Sequence, residues 1–592
     1  MPERLRESLN GEPARRSATS PIAVGLRRAL TAGYGLGDLR ADLLAGCVVG
    51  IVAIPLSMAL AIASGVPPQH GLYTAVVAGA VAALTGGSKF QVTGPTAAFV
   101  VVLAPIVSQH GLAGLLTAGF LAGLVLLAMG IGRLGRFVEF IPYPVTTGFT
   151  AGIATVIATL QLKDAFGLQV EHMPERFTDK VLALWAARGT WAPAELAVTL
   201  ATLALLLVAP RVVPRVPAPL VGLGAVGVAV WALDVPVATL GTRFHGTIDG
   251  LPFAGIPPIP PAPSLPWGAE FSFDLVATLL PAALAIAMLG AIESLLSAVV
   301  ADGMTGKRHD PDAELVGQGL ANVVAPFFGG IAATGALART ATNIRSGARS
   351  PVAAVVHAGV VLGAIVALAP LVAHLPMGSL AALLLLVAWN MSDRQHVAHM
   401  LRVAPRSDVF VLVTCFALTV VFDMVLAVGV GVVLAAFLFM NRMAVLTRAR
   451  ILVDESPENE DRALPPSIAV YEIAGPMFFG AAQKAVEAFH AIGASAKVVV
   501  VGLGRVPVID ATGLVALESV LTRLLRERQF VIIAGPLPEP RTVFARAEWE
   551  AAFDRVLFAS DLPQALGIAR DLVALNPDWA ARHPGKPAPH PG

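Results

Sequence analysis

The sequence predicts an α-helical polytopic membrane protein with a small α/β domain after its last membrane segment. Three observations carry that prediction. Hydrophobic residues make up 56% of the 592 and charged residues only 14%, with a mean hydropathy of +0.74, whereas a soluble domain carries about 25% charged residues. Long apolar runs alternate with Arg-bearing loops up to about residue 450, and the pattern then shifts to an acidic linker and short alternating runs. Two polar stretches broken by Gly and Pro, residues 90–99 and 330–351, sit among the apolar runs at corresponding places in two halves. A net charge of +1 argues against nucleic acid as a partner. Cys47 and Cys415 lie in apolar runs and read as small buried hydrophobes, not as a disulfide or a metal pair.

Residues 1–38 form an Arg-rich tail without an apolar signal segment, which the positive-inside rule places in the cytoplasm. Membrane segments are expected from 39 to 450. The first runs over about 42–64 and contains Pro55 and Ser57; the second follows a tight turn at 66–73 and ends near Leu84. A short helix opens after Gly94-Pro95, and spans follow at about 111–131, 143–162, 194–209 and 218–239. The Pro-rich stretch 251–266 connects the halves. The second half repeats the pattern at about 275–300, 314–328, a second short helix, 352–372, 377–391, 408–423 and 425–441. This makes fourteen segments, seven per half, with basic loops at each cytoplasmic turn. An odd number per half inverts the second relative to the first, as in the inverted repeats of many secondary transporters.

Neither polar break can cross a bilayer as an ordinary helix, which needs about 20 apolar residues. Irregular backbone at membrane depth survives only inside protein or against a cavity. Each break therefore reads as a half-helix starting mid-membrane, the second with Arg339 in its first turn. A helix N-terminus carries roughly +0.5 of a charge together with free N–H donors. Two such ends plus Arg339 give roughly +2 at one place, suited to an anion and to a divalent one in particular. Backbone N–H groups of Gly94, Thr96 and Ala97 from one half, and of Ala336, Leu337 and Ala338 from the other, are the expected donors. Arg339, Thr340 and Ser57 complete the candidate substrate-binding set. Arg339 can act as a bidentate donor to a carboxylate; its alternative role is a structural pair with Glu293.

Glu293 is the candidate coupling residue. Its charge would repel an anionic substrate, and protonation would relieve the repulsion, which makes proton–anion symport natural. A sodium-coupled version would use the same carboxylate with Thr340 or backbone carbonyls, and a permanent salt bridge is the structural alternative. Asp42 and Asp423 lie near span ends and read as structural, and Gln91, Gln318, Asn322 and Asn343 read as bridges between helices, with lining of the path as their alternative role. No Walker A pattern is present, so an ATP-driven pump is not expected; nor is an enzyme, a cofactor or a metal site.

After a polar linker at 451–466, residues 467–575 read as a soluble α/β domain. Strands are expected at 468–473, 497–502 and 530–533, with helices over 513–526 and from a cap at Ser560-Asp561 to Leu575. The Pro/Ala/His-rich tail 576–592 reads as disordered.

Several motifs together resemble the SulP family, the sulfate permease or solute carrier 26 anion transporters. They are Asp42-Leu-Leu-Ala-Gly46, Ile54-Pro55, Gly65-Val-Pro-Pro with Gly71-Leu-Tyr73, Gly94-Pro95, Ile292-Glu293-Ser294, and Gly335-Ala-Leu-Ala-Arg339-Thr340-Ala-Thr-Asn343. The resemblance implies core and gate domains, substrate held between the third and tenth segments, a homodimer, and a cytoplasmic STAS domain. Within the family the chain looks most like the bacterial C4-dicarboxylic acid transporter branch. That likeness rests on Ile54–Ile62, Leu84–Ser88, Met288–Glu293, Val300–Gly306 and Val387–Ser392. Leu56 stands where many sulfate-type members have Gln. The implied activity is proton-coupled C4-dicarboxylate symport by an elevator-type movement, in a bacterial inner membrane with both termini cytoplasmic. Sulfate or bicarbonate uptake, coupled to protons or sodium, is the alternative within the family. An uncoupled channel, or a sensor signalling through the STAS domain to a cytoplasmic partner, is the alternative of another class. Val508-Ile-Asp510-Ala-Thr512-Gly513 looks like the STAS loop, in which Thr512 is a candidate phosphosite and Asp510 a candidate helix cap.

Overall fold

The computed structural model describes residues 22–136, 141–170, 173–174, 176–214, 216–248, 251–268, 272–422, 424–446, 448–451, 464–465, 467–478 and 496–576. The expected disordered tail, most of the linker, most of the N-terminal tail and Asp423 fall outside these residues. The chain divides into two compact units, 1–433 and 434–592.

The first half of the membrane unit contains α1 (Leu36–Ala63), α2 (Pro68–Thr85), β1 (Thr93–Gly94), α3 (Ala97–Ile131), α4 (Tyr143–Phe166), α5 (Pro193–Val212) and α6 (Ala218–Ala232). The second half contains α7 (Phe273–Thr305), α8 (Pro311–Val324), β2 (Thr334–Gly335), α9 (Leu337–Arg345), α10 (Val352–Ala367), α11 (Met377–Met391), α12 (Arg394–Val403), α13 (Arg406–Val421) and α14 (Met424–Leu446). The third and fourth expected segments run together as α3, turning at Gly111 (φ 64°, ψ −168°), a conformation open to glycine because it lacks a Cβ. Counted on either side of that turn, and with the surface helix α12 left out, the segments named above number fourteen among the described residues. Among the same residues, six helices are long and apolar enough to cross a bilayer on their own. Others are short. α9 has nine residues rather than the expected dozen, and α6 stops at Ala232.

Packing sorts the segments into two bundles. α1, α2, α3, α7, α8, α9 and α10 pack mainly on one another, and so do α4, α5, α6, α11 and α13. The first bundle is held at van der Waals range by small residues. A Cβ on Gly123 would lie 2.6 Å from the Val323 nitrogen, and one on Gly319 the same distance from the Leu127 nitrogen, so α3 and α8 meet backbone to backbone. Glu314, 2% exposed, fastens the non-helical chain that follows α2. It accepts from the amides of Gly87 (3.0 Å) and Ser88 (2.9 Å) and from the side chains of Gln91 (2.8 Å) and Gln318 (3.1 Å).

Asp42 is buried and accepts from the Arg349 amide, the Ser350 amide and hydroxyl, and the Tyr34 hydroxyl, which makes it structural as expected. Asn322 clamps Ala333 through both N–H and C=O, and Asn343 donates to the Phe90 carbonyl, so these amides bridge segments. Cys415 is buried, but Cys47 is exposed on α1, contrary to the apolar-run reading; both are free thiols. An apolar run says only that a residue is out of water, and a lipid-facing side chain is exposed in the bare protein.

The second unit is a five-stranded sheet: β3 (Arg448–Ile451), β4 (Ile468–Ala474), β5 (Val498–Arg505), β6 (Phe530–Ala534) and β7 (Val556–Ala559), in that order. β3 pairs antiparallel and the rest are parallel. Apolar clusters cover both faces, as parallel strands require. α15 (Ala511–Arg526) and a terminal helix at Leu562–Ala574 match the expected helices. The edge strand β3 overturns the expected boundary, because Arg448–Ile451 belongs to the sheet and not to the end of the membrane domain. Four residues with two arginines carry too little apolar alternation to announce a strand.

Gly319→Val is expected to destabilise the protein by about 2 kcal/mol through overpacking, lowering Tm and the monodisperse yield in detergent. Gly359→Ala, where nothing lies within 4 Å of the new methyl, should leave both unchanged. Glu314→Ala strands four donors and is expected to cost about 3 kcal/mol or more, read as loss of folded protein.

Candidate functional site

The two polar breaks meet. Thr93 pairs with Gly335 and Gly94 with Thr334, antiparallel, so that the same Thr-Gly dipeptide from each half faces its counterpart. An antiparallel pair is what a twofold relation between inverted halves produces, and it brings the starts of α3 and α9 to one place. Irregular backbone is thereby satisfied inside protein. The Thr334 hydroxyl donates to the Gly290 carbonyl at 3.1 Å and lies 2.7 Å from the Ser294 hydroxyl, which accepts from the Gly335 amide at 3.0 Å. The Val92 amide donates to the Thr340 hydroxyl oxygen at 3.1 Å, Ser297 donates to the same oxygen at 3.2 Å, and Gln318 donates to the Thr93 hydroxyl at 2.7 Å.

Both pairing glycines are closely approached by buried side chains. A Cβ on Gly94 would lie 2.5 Å from Arg339 Nη1, and one on Gly335 would lie 2.2 Å from Gln91 Nε2. Arg339 is 2% exposed. Its Nη2 donates to the Pro95 carbonyl, while Nε and Nη1 have no partner. Nη2 carries a second hydrogen, so whichever one Pro95 takes, an adjacent pair of N–H donors remains. Among the described residues no ion pair joins Arg339 to Glu293. Glu293 instead accepts from the Thr96 hydroxyl at 2.8 Å, which ties α7 to the start of α3.

Neither helix start is capped by its own N-cap side chain: Thr96 is turned to Glu293, and Ala336 has nothing to offer. The leading N–H groups of α3 and α9 lack intrahelical acceptors. One expected donor is corrected. The Ala336 N–H is engaged by the Val92 carbonyl at 2.8 Å, because the strand pairing extends one residue past Gly335. Leu337 and Ala338 are exposed, whereas Arg339 and Thr340 point into the bundle. Ala97 is buried and Thr96 partly so. Ser57 is wholly buried on α1 with its hydroxyl unpartnered, and no hydrogen bond among the described residues ties it to the crossing.

Thr340, expected to touch substrate, has its oxygen occupied by two donors and acts as a brace of the crossing. Arg339, expected to pair directly with the anion, is sealed from contact here, so its charge reaches a ligand as a field unless the bundle opens. Glu314 went unread as a hub; an acid spaced i, i+4 from Gln318 at the start of an apolar helix was the available signal. In the second unit Asp510 caps α15 by accepting from the Gly513 amide at 2.7 Å, and Thr512 is exposed in the first turn.

Comparison with known proteins agrees with this architecture. The sulfate permease family matches residues 39–415 and the STAS domain matches residues 462–562. YvdB of Bacillus subtilis, named as a candidate sulfate transporter, is 42% identical over 511 residues, covering 86% of this chain and 94% of the relative. The bicarbonate transporter BicA of Picosynechococcus is 30% identical over 524 residues, covering 85% and 90%. The solved transmembrane domain of a cyanobacterial BicA superposes with a TM-score of 0.56 at 30% identity, over 68% of this chain and 98% of that one. Murine Slc26a9, an anion transporter solved in the inward-facing state, superposes with a TM-score of 0.81 over 96% and 98%, and at 16% identity this likeness is one of fold. The chain belongs to the sulfate permease family of multi-pass membrane anion transporters and carries a C-terminal STAS domain.

Proposed function

We propose that the chain is a proton-coupled symporter of C4-dicarboxylates. The observation that carries the anion site is the crossing of Thr93–Gly94 with Thr334–Gly335, which holds two uncapped helix starts together in front of a buried guanidinium. The anion would rest on the leading N–H groups of α3 (Thr96, Ala97) and α9 (Leu337, Ala338), with Arg339 supplying charge from behind. The donor pair left on Arg339 suits a carboxylate if the bundle opens. The exposed Leu337 beside Ala338 would suit a carbon chain better than a bare inorganic anion.

Glu293 is the proposed proton carrier. It touches the α3 start through Thr96 and makes no ion pair with Arg339, so its charge would bear on the anion and its protonation would favour loading. A proton rather than sodium is the proposed coupling ion, since the Thr340 oxygen that a sodium site would use is already occupied by donors. The division into two bundles supports an elevator movement in which the bundle holding both half-helices travels against the other. The setting we propose is a bacterial inner membrane, with cytoplasmic termini, a homodimer, and a STAS domain that binds a cytoplasmic partner or is phosphorylated at the exposed Thr512. The second reading is sulfate or bicarbonate uptake, favoured by the names of YvdB and BicA.

Uptake of labelled succinate into proteoliposomes under an inward proton gradient decides between the two. Accumulation that sulfate and bicarbonate do not suppress supports the dicarboxylate; sulfate or bicarbonate uptake without succinate overturns it and leaves the site in place. Arg339→Ala and Gly94→Ala should each lower uptake by roughly tenfold or more with the size-exclusion profile intact, and normal uptake would remove the crossing from the mechanism. Glu293→Gln should abolish the pH dependence of uptake, and unchanged proton-driven accumulation would rule Glu293 out as the carrier.

A further inference from the structure

A second site lies away from the crossing, in the other bundle. A groove of about 560 Å³ opens between α4 (Ala158), α5 (Leu203, Leu207) and α11 (Leu385, Trp389), with Ser392 just past the end of α11. Its lining is apolar but for two hydroxyls and the Trp389 indole N–H, and both hydroxyl protons are used at home: Thr155 donates to the Ala151 carbonyl at 3.0 Å and Ser392 to the Trp389 carbonyl at 2.8 Å. The groove therefore offers little to hold a small anion and suits a hydrocarbon occupant.

Its α11 end is different. Trp389 is 56% exposed, and the Arg394 guanidinium carbon sits 4.2 Å from the centre of its ring. This stacking holds the charge at the end of the groove. Among the described residues Arg394 makes no ion pair, and the neighbouring Asp393 carboxylate is engaged by His396 Nδ1 at 2.8 Å. Arg394 opens α12, a helix none of whose residues is buried. Val397, Met400 and Leu401 recur at helical spacing along one side, with Arg394 at the edge of that stripe and His399 and Arg402 on the other side. A short amphipathic helix that buries no residue in the protein, with basic residues on its polar face, is built to lie in a membrane interface. Exposed Trp at its start marks the same depth.

We infer that this groove binds an anionic phospholipid. One acyl chain lies between α4, α5 and α11, and the phosphate meets Arg394, with Arg402 adding to the attraction. The apolar lining selects a hydrocarbon occupant, and the cationic end selects the sign of the headgroup. By the positive-inside rule the site faces the cytoplasmic leaflet. Because all three helices belong to the bundle that does not carry the half-helices, the lipid would anchor the bundle against which the other moves.

The test is native mass spectrometry of the full-length protein, purified in detergent and incubated with phosphatidylglycerol or phosphatidylcholine of matched chains. The inference predicts a phosphatidylglycerol retained on each protomer under activation that strips phosphatidylcholine. Arg394→Gln, an exposed change that leaves the fold alone, should lower the preference about fivefold. Ala158→Phe, which fills the groove, should reduce retention of both lipids. Equal retention of the two lipids by the unaltered protein overturns the inference, as does undiminished phosphatidylglycerol preference in Arg394→Gln. A groove closed by a second copy of the chain would instead show Ala158→Phe splitting dimers with lipid retention unchanged, and that too overturns it.

Discussion

Two helix N-termini of like partial charge do not come together unaided, and here a buried arginine is added to them. The four-residue pairing of Thr93–Gly94 with Thr334–Gly335 is the constraint that holds them there. A Cβ at either glycine would have to displace the end of a buried side chain, and the pairing and the residues beside it are cross-linked to α7 and α8 through Ser294, Ser297, Gln318 and Asn322. Cut that pairing and the two helix starts are no longer held together, while the non-helical backbone at the crossing loses part of what satisfies it inside protein.

The charge balance follows from the same geometry. An arginine that finds one carbonyl and no acid is costly inside a membrane domain, and it is tolerable where an anion can approach. Glu293 does not pair with it; the carboxylate is held by the Thr96 hydroxyl at 2.8 Å. Acid and base are thus held at neighbouring residues, Thr96 and Pro95, with no ion pair between them. In the proposed mechanism an anion would meet the positive potential and a proton would act at the carboxylate, and a direct Arg339–Glu293 pair would remove both.

Much of this was legible in the chain. Segment number, the two half-helices and the strands at 468, 498 and 530 follow from apolar period and from Gly/Pro punctuation, which are local. The Thr-Gly dipeptides could be seen to correspond, but not to pair, because pairing joins residues far apart in sequence. The same holds for Glu314, whose four donors come from two segments, and for the Ala336 amide, lost to a strand pairing that extends past the dipeptide. The burial of Arg339 was not legible for a related reason: position in a first turn says which helix end a side chain is near, not which side of the helix it takes. Leu337 and Ala338 take the open side.

The central claim is that the transported anion sits on the open side of the α9 start. Ala338→Cys in a Cys47→Ser background tests it directly, because the remaining native Cys415 is buried. The rate of modification by a small, membrane-impermeant thiol reagent is measured in purified protein with and without the anion that the proteoliposomes accumulate, with Ala545→Cys on the exposed surface of the second unit as the control. The account predicts that the anion slows modification at position 338 and leaves position 545 unchanged. Equal rates at position 338 with and without the anion would contradict it.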